Sequence, residues 1–132
     1  GSERPGLGLT VEASLTSRAM REAGLPPQRL SRGLAADAMY WTVEQIVTHH
    51  SCNGCNLQPG DLVGTGTLST ASPEGLGSLL EISRGGKEVL TLPTGETRAF
   101  LEDGDEVILS ARAEARGATS IGFGECRGMV VG

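Results

Sequence analysis

The side chains best suited to chemistry lie close together in the stretch THHSCNGCN, which contains His49, His50, Cys52 and Cys55. Imidazole nitrogens and thiolate sulfurs are zinc ligands, so the first hypothesis is a metal site. Two observations disfavour it. Consecutive residues of a helix point about 100° apart, and structural zinc sites usually combine two ligand pairs from separated segments. Here one such pair is present, and Cys126 is the only other cysteine.

The Cys-X-X-Cys spacing raises a second hypothesis, a redox pair. Active pairs lie at a helix N-terminus, where the helix dipole stabilises the thiolate. Cys52 and Cys55 instead follow a predicted helix, and this position favours the protonated thiol. The third hypothesis is structural: His49 and His50 bond the free carbonyls of the last turn, and the cysteines are small buried residues. The residues alone favour this third interpretation, and Cys126 is likewise predicted to be a buried thiol.

The histidines are predicted to lie on a short helix from Val43 to His50. Thr42 suits the N-cap, and Gln45 completes a capping box with it. Trp41 and Ile46 occupy the two positions of a hydrophobic staple. Asn-Gly and Pro-Gly pairs follow the helix and predict that it ends there.

The rest of the chain is predicted to be mainly β, a mixed sheet or roll in a single domain. Apolar residues alternate with small or polar ones over 7–15, which predicts a half-buried strand without a preceding partner. The segment 20–35, with two consecutive prolines, is interpreted as a surface connection with one short helical turn. Glycine is abundant, 20 of 132 residues, which is typical of many tight turns. Further strands are predicted at 62–64, 78–84, 88–92, 96–100, 106–113 and 121–131.

Composition excludes several classes of function. The net charge of −5 argues against nucleic acid and against anionic membranes. Four aromatic residues are too few for base-stacking platforms. No apolar run approaches the roughly 20 residues of a membrane span. An odd number of cysteines, three, without secretory features favours reduced thiols and a cytoplasmic location.

Four motifs together resemble the C-terminal part of the fumarylacetoacetase family. They are MYWTVEQIVTHHSCNGCNLQPGDLVGTGT, GSLLEIS, TGETRAFLEDGDEVIL and IGFGECRG, and the resemblance extends from Leu9 to Met129. The chain departs from the family at Gln58, where arginine is usual, and in the segments STASPEG and SARAEARGATS. Because these loops are where substrate preference varies, the resemblance specifies the family better than the substrate.

The resemblance implies a hydrolase that cleaves the carbon–carbon bond of a β-diketo acid. The family's substrate is fumarylacetoacetate, split into fumarate and acetoacetate in tyrosine and phenylalanine catabolism. The family enzyme is a homodimer that uses calcium or magnesium. Two alternatives remain open: an acylpyruvate-type hydrolase or decarboxylase, and a non-catalytic binding module on the same scaffold.

Three residues carry the implied chemistry. Glu81, in GSLLEIS, matches the catalytic carboxylate that holds a general-base histidine in the correct tautomer. Gly66 and Thr67 match the turn that donates hydrogen bonds to the substrate's carboxylate. On a predicted strand, Glu81 would either face solvent or be buried with a partner.

The resemblance also implies what lies elsewhere. The family's metal ligands, its general-base histidine and its substrate-binding Lys, Arg and Tyr belong to the part before this sequence. The 132 residues are therefore expected to be a C-terminal fragment. We expect no catalytic metal to bind this fragment and no turnover by it without the remainder of the parent chain.

Overall fold

The computed structural model describes residues 8–39, 43–52, 54, 56–62, 64, 66–115 and 117–132, and these form two antiparallel sheets. The strands are β1 (Leu9–Thr16), β2 (Gln28–Leu34), β3 (Leu90–Thr91), β4 (Thr97–Arg98), β5 (Glu106–Ala113) and β6 (Ile121–Met129). The helices are α1 (Arg18–Glu22), α2 (Ala35–Ala38), α3 (Val43–Cys52) and α4 (Leu79–Ile82), with a 3₁₀ turn at Pro73–Gly75. The larger sheet has the order β2-β1-β5-β6, and the smaller one pairs β3 with β4.

The predicted mainly β architecture is confirmed. The strand pairs among the described residues are all antiparallel, whereas the sequence predicted a mixed sheet. α3 confirms the predicted helix and continues two residues past His50, but it is accompanied by shorter helices. Its predicted cap and staple residues, Thr42 and Trp41, lie outside the described residues. Within the described part of the chain, no helix is long and apolar enough to cross a membrane.

The opening strand is confirmed over Leu9–Thr16, but the prediction of a surface connection after it was wrong. Residues 28–34 form β2, which pairs antiparallel with β1. The pairing register between β1 and β2 shifts by one residue after Ala13: Ala13 pairs with Ser31, whereas the next residue, Ser14, pairs with Arg29. Leu30 is therefore an extra residue at a bulge, and a bulge breaks the period-2 pattern by which strands are recognised.

The larger sheet has one polar and one apolar face, since successive side chains alternate across a strand. On the polar face, Glu12 lies 3.7 Å from Arg29 and 3.4 Å from Arg32. On the apolar face, two residues of β1 lie beside their partners in β5: Val11 beside Ala111 and Ala13 beside Leu109.

The buried core lies at one end of this sheet. Leu15 of β1, Met20 of α1 and Leu92 after β3 are nearly inaccessible to solvent and contact one another. Ser17 begins α1 with a capping box, accepting a hydrogen bond from the Met20 amide at 3.1 Å. The core thus joins β1 and α1 to the β3–β4 hairpin. The antiparallel pairing of β3 with β4 confirms the hairpin predicted around PTG.

Two predicted strands near the candidate site are not formed. The segment 78–84 contains α4 instead of a strand, because the Ser78 hydroxyl caps a helical turn. At 62–64, Leu62 is 98% exposed and neither it nor Gly64 is in a strand. Val63 lies outside the described residues.

Candidate functional site

Glu81 lies in the single turn of α4. Serine hydroxyls bond both its backbone amide and its carboxylate. Its amide donates to the Ser78 Oγ at 3.2 Å, the capping contact of the helix. Its Oε2 accepts a hydrogen bond of 2.6 Å from the Ser69 Oγ. The side chain is solvent-exposed, one of the two placements that the sequence left open, and its partner here is a serine hydroxyl. The predicted contact with a histidine stays a prediction.

Ser69 connects Glu81 to the Gly66–Thr67 turn. The Ser69 Oγ also accepts a hydrogen bond from the Gly77 amide at 2.9 Å. The α-carbon of Gly77 packs so closely on the turn that an added Cβ would lie 2.7 Å from the Thr67 Cγ2 and overlap the Leu68 carbonyl. The hydrogen bond from Ser69 therefore holds Glu81 beside the segment that carries Thr67, and Gly77 packs against the same segment.

Gly66 and Thr67 precede Ser69 in the same segment. Gly66 has φ +78°, a conformation that glycine adopts without strain. Thr67 is exposed to solvent. The donation of hydrogen bonds by these two residues to a substrate stays a prediction. Thr65, the other threonine of the turn, lies outside the described residues.

Residues 68–77 form a closed loop that fixes these positions. The Thr70 amide donates to the Gly75 carbonyl at 2.9 Å, and the Gly75 amide donates to the Ser72 carbonyl at 3.0 Å. A Cβ on Gly75 would overlap the Thr70 side chain, so glycine is required there. The loop folds back on itself and brings Ser69 and Gly77 together.

A mostly apolar cavity of about 420 Å³ lies between this loop and the apolar face of the larger sheet. Leu68 and Thr70 contribute to its lining from the loop, and Val11 and Leu109 from the sheet. Thr67 and Ser69 belong instead to the contacts with Gly77 and Glu81 described above. The cavity and the Glu81 site thus share one loop, and Gly77 belongs to both because it also lines the cavity.

The histidine–cysteine cluster is described in part. His49 and Cys52 lie at the end of α3, and Cys52 is an exposed free thiol, not the buried residue predicted. Cys126 is also exposed and free, against the same prediction, because it lies on β6. The His50 side chain and Cys55 lie outside the described residues.

The described residues do not fit a metal. No group of three His, Cys, Asp or Glu side chains comes together among them in a way that could hold an ion. We therefore derive no step of a reaction through a metal held by this chain.

Sequence comparison places the chain in a known family. Residues 28–131 match the family described as fumarylacetoacetate (FAA) hydrolase C-terminal. Because this match covers most of the 132 residues, the chain belongs to that family.

The related proteins are fumarylacetoacetases from animals and plants. The chain is 50% identical to the Rattus norvegicus fumarylacetoacetase and 53% identical to the Homo sapiens one, each over 93 residues. It is 48% identical to the Arabidopsis thaliana protein over the same length. In each case the alignment includes 70% of this chain and 22% of the relative, so the chain spans about a fifth of the length of these enzymes.

The residue that sequence reasoning missed is Ser69. It lies in the loop where the chain departs from the family pattern, and a lone serine in such a loop is ordinary turn chemistry. Its contact with Glu81 crosses 12 positions of sequence. An available pointer was the glycine spacing of the loop, which indicates close backbone approach.

Proposed function

We propose that this chain forms the C-terminal part of the active site in a hydrolase of β-diketo acids. The substrate is fumarylacetoacetate or a similar acid, split at a carbon–carbon bond, as in tyrosine and phenylalanine catabolism. Family membership supports the reaction class. The observation that carries the assignment to these residues is the 2.6 Å hydrogen bond that fastens Glu81 beside the Thr67 segment.

Each of the three residues has a separate task in the proposed reaction. Glu81 accepts a hydrogen bond from a histidine of the complete protein and keeps that imidazole in the tautomer able to take a proton from water. The Gly66 amide and the Thr67 hydroxyl donate to the carboxylate of the substrate. Water then adds to the carbonyl, and the carbon–carbon bond breaks as the leaving carbon gains a proton.

The proposal assigns the cation, calcium or magnesium, to residues of the complete protein other than those described here. The complete protein is proposed to be a homodimer, as the family resemblance implies. The odd cysteine count supports a cytoplasmic setting.

The decisive experiment uses the complete protein encoded by the gene that contains this sequence. Hydrolysis of fumarylacetoacetate is measured for the wild type and for Glu81→Gln, which keeps the shape but not the charge. We expect kcat to fall about 10²- to 10⁴-fold, because an imidazole without its carboxylate loses its orientation.

The matched control is Glu74→Gln. Glu74 lies in the same loop region, is exposed, and accepts a hydrogen bond of 2.6 Å from the Ser72 hydroxyl. We expect its kcat to stay within about twofold of wild type, the usual range for a surface substitution. Equal activity of Glu81→Gln and wild type would refute the proposed role. If the complete protein hydrolyses acylpyruvates but not fumarylacetoacetate, it belongs to the related acylpyruvate-type hydrolases instead.

A further inference from the structure

We infer that Ser69 is a positioning residue for Glu81, an inference that rests on the proposed function. The Ser69 hydroxyl lies 2.6 Å from the Glu81 Oε2, the short distance typical of a hydroxyl that donates to a charged carboxylate. No comparison or sequence motif singled out this serine.

The direction of the Ser69 proton follows from its second contact. A serine hydroxyl has one O–H to donate and two lone pairs. The Gly77 amide donates to one lone pair at 2.9 Å, which orients the oxygen from the opposite side. The single proton is then available for the Glu81 carboxylate, so the donor and acceptor roles are fixed by the loop.

Gly77 makes this arrangement possible. An added Cβ at this position would overlap the Leu68 carbonyl and lie 2.7 Å from the Thr67 Cγ2. Only glycine lets the amide approach Ser69 while the chain passes the Thr67 turn. One hydroxyl therefore sets the position of the carboxylate relative to the proposed substrate-binding turn.

The contact leaves one carboxylate oxygen for catalysis. The hydroxyl of Ser69 occupies Oε2, and the backbone of Glu81 is held independently by Ser78 at 3.2 Å. Oε1 remains for the imidazole that the proposed mechanism requires. Without the serine, an exposed glutamate samples several rotamers, and fewer of them direct an oxygen at the histidine.

The test compares Ser69→Ala with Ser69→Thr in the complete protein, assayed on fumarylacetoacetate. We expect Ser69→Ala to lower kcat about 10- to 100-fold, the usual effect of removing a supporting hydrogen bond behind a functional group. KM should change less than about twofold, because the proposed role of Ser69 is to hold Glu81 and not to bind the substrate. Ser69→Thr, which keeps the hydroxyl, should restore most of kcat.

Two further measurements separate positioning from folding. In Glu81→Gln, adding Ser69→Ala should cause no further loss, because two residues that act as one unit are not additive. The control Ser72→Ala removes a hydroxyl that bonds Glu74 at the same 2.6 Å distance in the same loop, and should keep wild-type kcat. If Ser69→Ala does not fold, Ser69→Thr and Ser69→Val provide an isosteric pair that differs in the hydroxyl.

The outcomes of the two proposals are distinguishable. A fall in kcat for Glu81→Gln with no effect of Ser69→Ala overturns the inference and leaves the proposed function intact. Independent, multiplicative losses in the double variant overturn it as well. Wild-type activity of Glu81→Gln overturns the proposed function itself.

Discussion

At the scale of single residues, the sequence predicted Glu81 as a candidate catalytic residue but did not predict which residues contact it. An acid inside an apolar tetrapeptide is unusual enough to attract attention, and the family motif assigned it a role. Its partner Ser69 comes from a loop whose closure depends on Gly75 packing against the Thr70 side chain and on Gly77 packing against the Leu68 carbonyl. Such contacts depend on tertiary structure, which neither periodicity nor turn propensity encodes.

Glu96 is a second carboxylate whose environment became visible only in the fold. It accepts hydrogen bonds from Ser17 and Thr94, both at 2.6 Å, and from Arg98 at 3.1 Å. Together with the positive charge of Arg98, these donors, the Ser17 hydroxyl foremost, hold the pKa of Glu96 below its ordinary value of 4.5. Ser17 also caps α1, so this glutamate connects the helix start to the β3–β4 hairpin.

We expect acid to weaken this connection in a defined range. Because the pKa of Glu96 is lower in the folded than in the unfolded chain, its stabilising contribution is complete above about pH 4.5 and is lost as the pH falls through the folded value. Glu96→Gln should therefore lose less unfolding free energy than wild type as the pH falls below about 4.5. Urea unfolding at several pH values measures this difference.

The control for that experiment is Glu88→Gln, since Glu88 forms an exposed pair with Arg84 at 3.5 Å. It should follow the wild-type pH dependence, because exposed pairs contribute little. Parallel curves for wild type and Glu96→Gln would contradict the assignment.

At the scale of elements, some strands were predicted and others were not. β5 and β6, eight and nine residues long, are confirmed. The four residues Leu-Leu-Glu-Ile fit a strand and a helical turn equally well by pattern, and the Ser78 cap decided for the helix. β2 was missed because a bulge at Leu30 and a glycine weaken its period.

The hairpin and β5 are joined by an ion pair with almost no exposure to water. Arg98 of β4 contacts Asp105 through Nε at 2.7 Å and Nη2 at 3.1 Å. Their side chains are 7% and 1% exposed. Asp105 also accepts a hydrogen bond from the Glu102 amide at 3.0 Å. The carboxylate of Asp105 raises the pKa of Arg98 above its usual value, so the guanidinium stays charged.

Breaking this pair should cost more than any surface change. Arg98→Met leaves Asp105 charged, buried and without its main partner, a situation that typically costs about 3–5 kcal/mol. The matched substitution Arg84→Met, in the exposed pair with Glu88, should cost about 0–1 kcal/mol. Chemical denaturation of both variants gives the comparison. A loss for Arg98→Met no larger than for Arg84→Met would show that the pair is dispensable.

At the scale of the whole molecule, activity should depend on more than this chain. The described residues include the Glu81 carboxylate held by Ser69, but no group of three metal-ligating side chains. The family resemblance assigns the general-base histidine to a preceding part. We expect the purified 132-residue chain to show no hydrolysis of fumarylacetoacetate where the complete protein does.

That comparison requires the 132-residue chain to be folded. A far-ultraviolet circular dichroism spectrum typical of β-structure verifies this. Turnover by the 132-residue chain at a rate near that of the complete protein would refute this expectation. The result is independent of Ser69, because it concerns groups that this chain does not provide among its described residues.

The position of β6 affects how this molecule behaves at high concentration. Among the described strands β6 has β5 as its single neighbour, and its residues are exposed along its length. The unpaired N–H and C=O groups of an edge strand can pair with a strand of another molecule, and repeated pairing builds fibrils. On β6 itself Arg127 and Glu125 form an exposed pair at 2.6 Å, and Arg127 also bridges Glu106 of β5 at 2.9 Å. A stacking strand would have to strip water from the two exposed charges, so we expect this pair to oppose growth into fibrils.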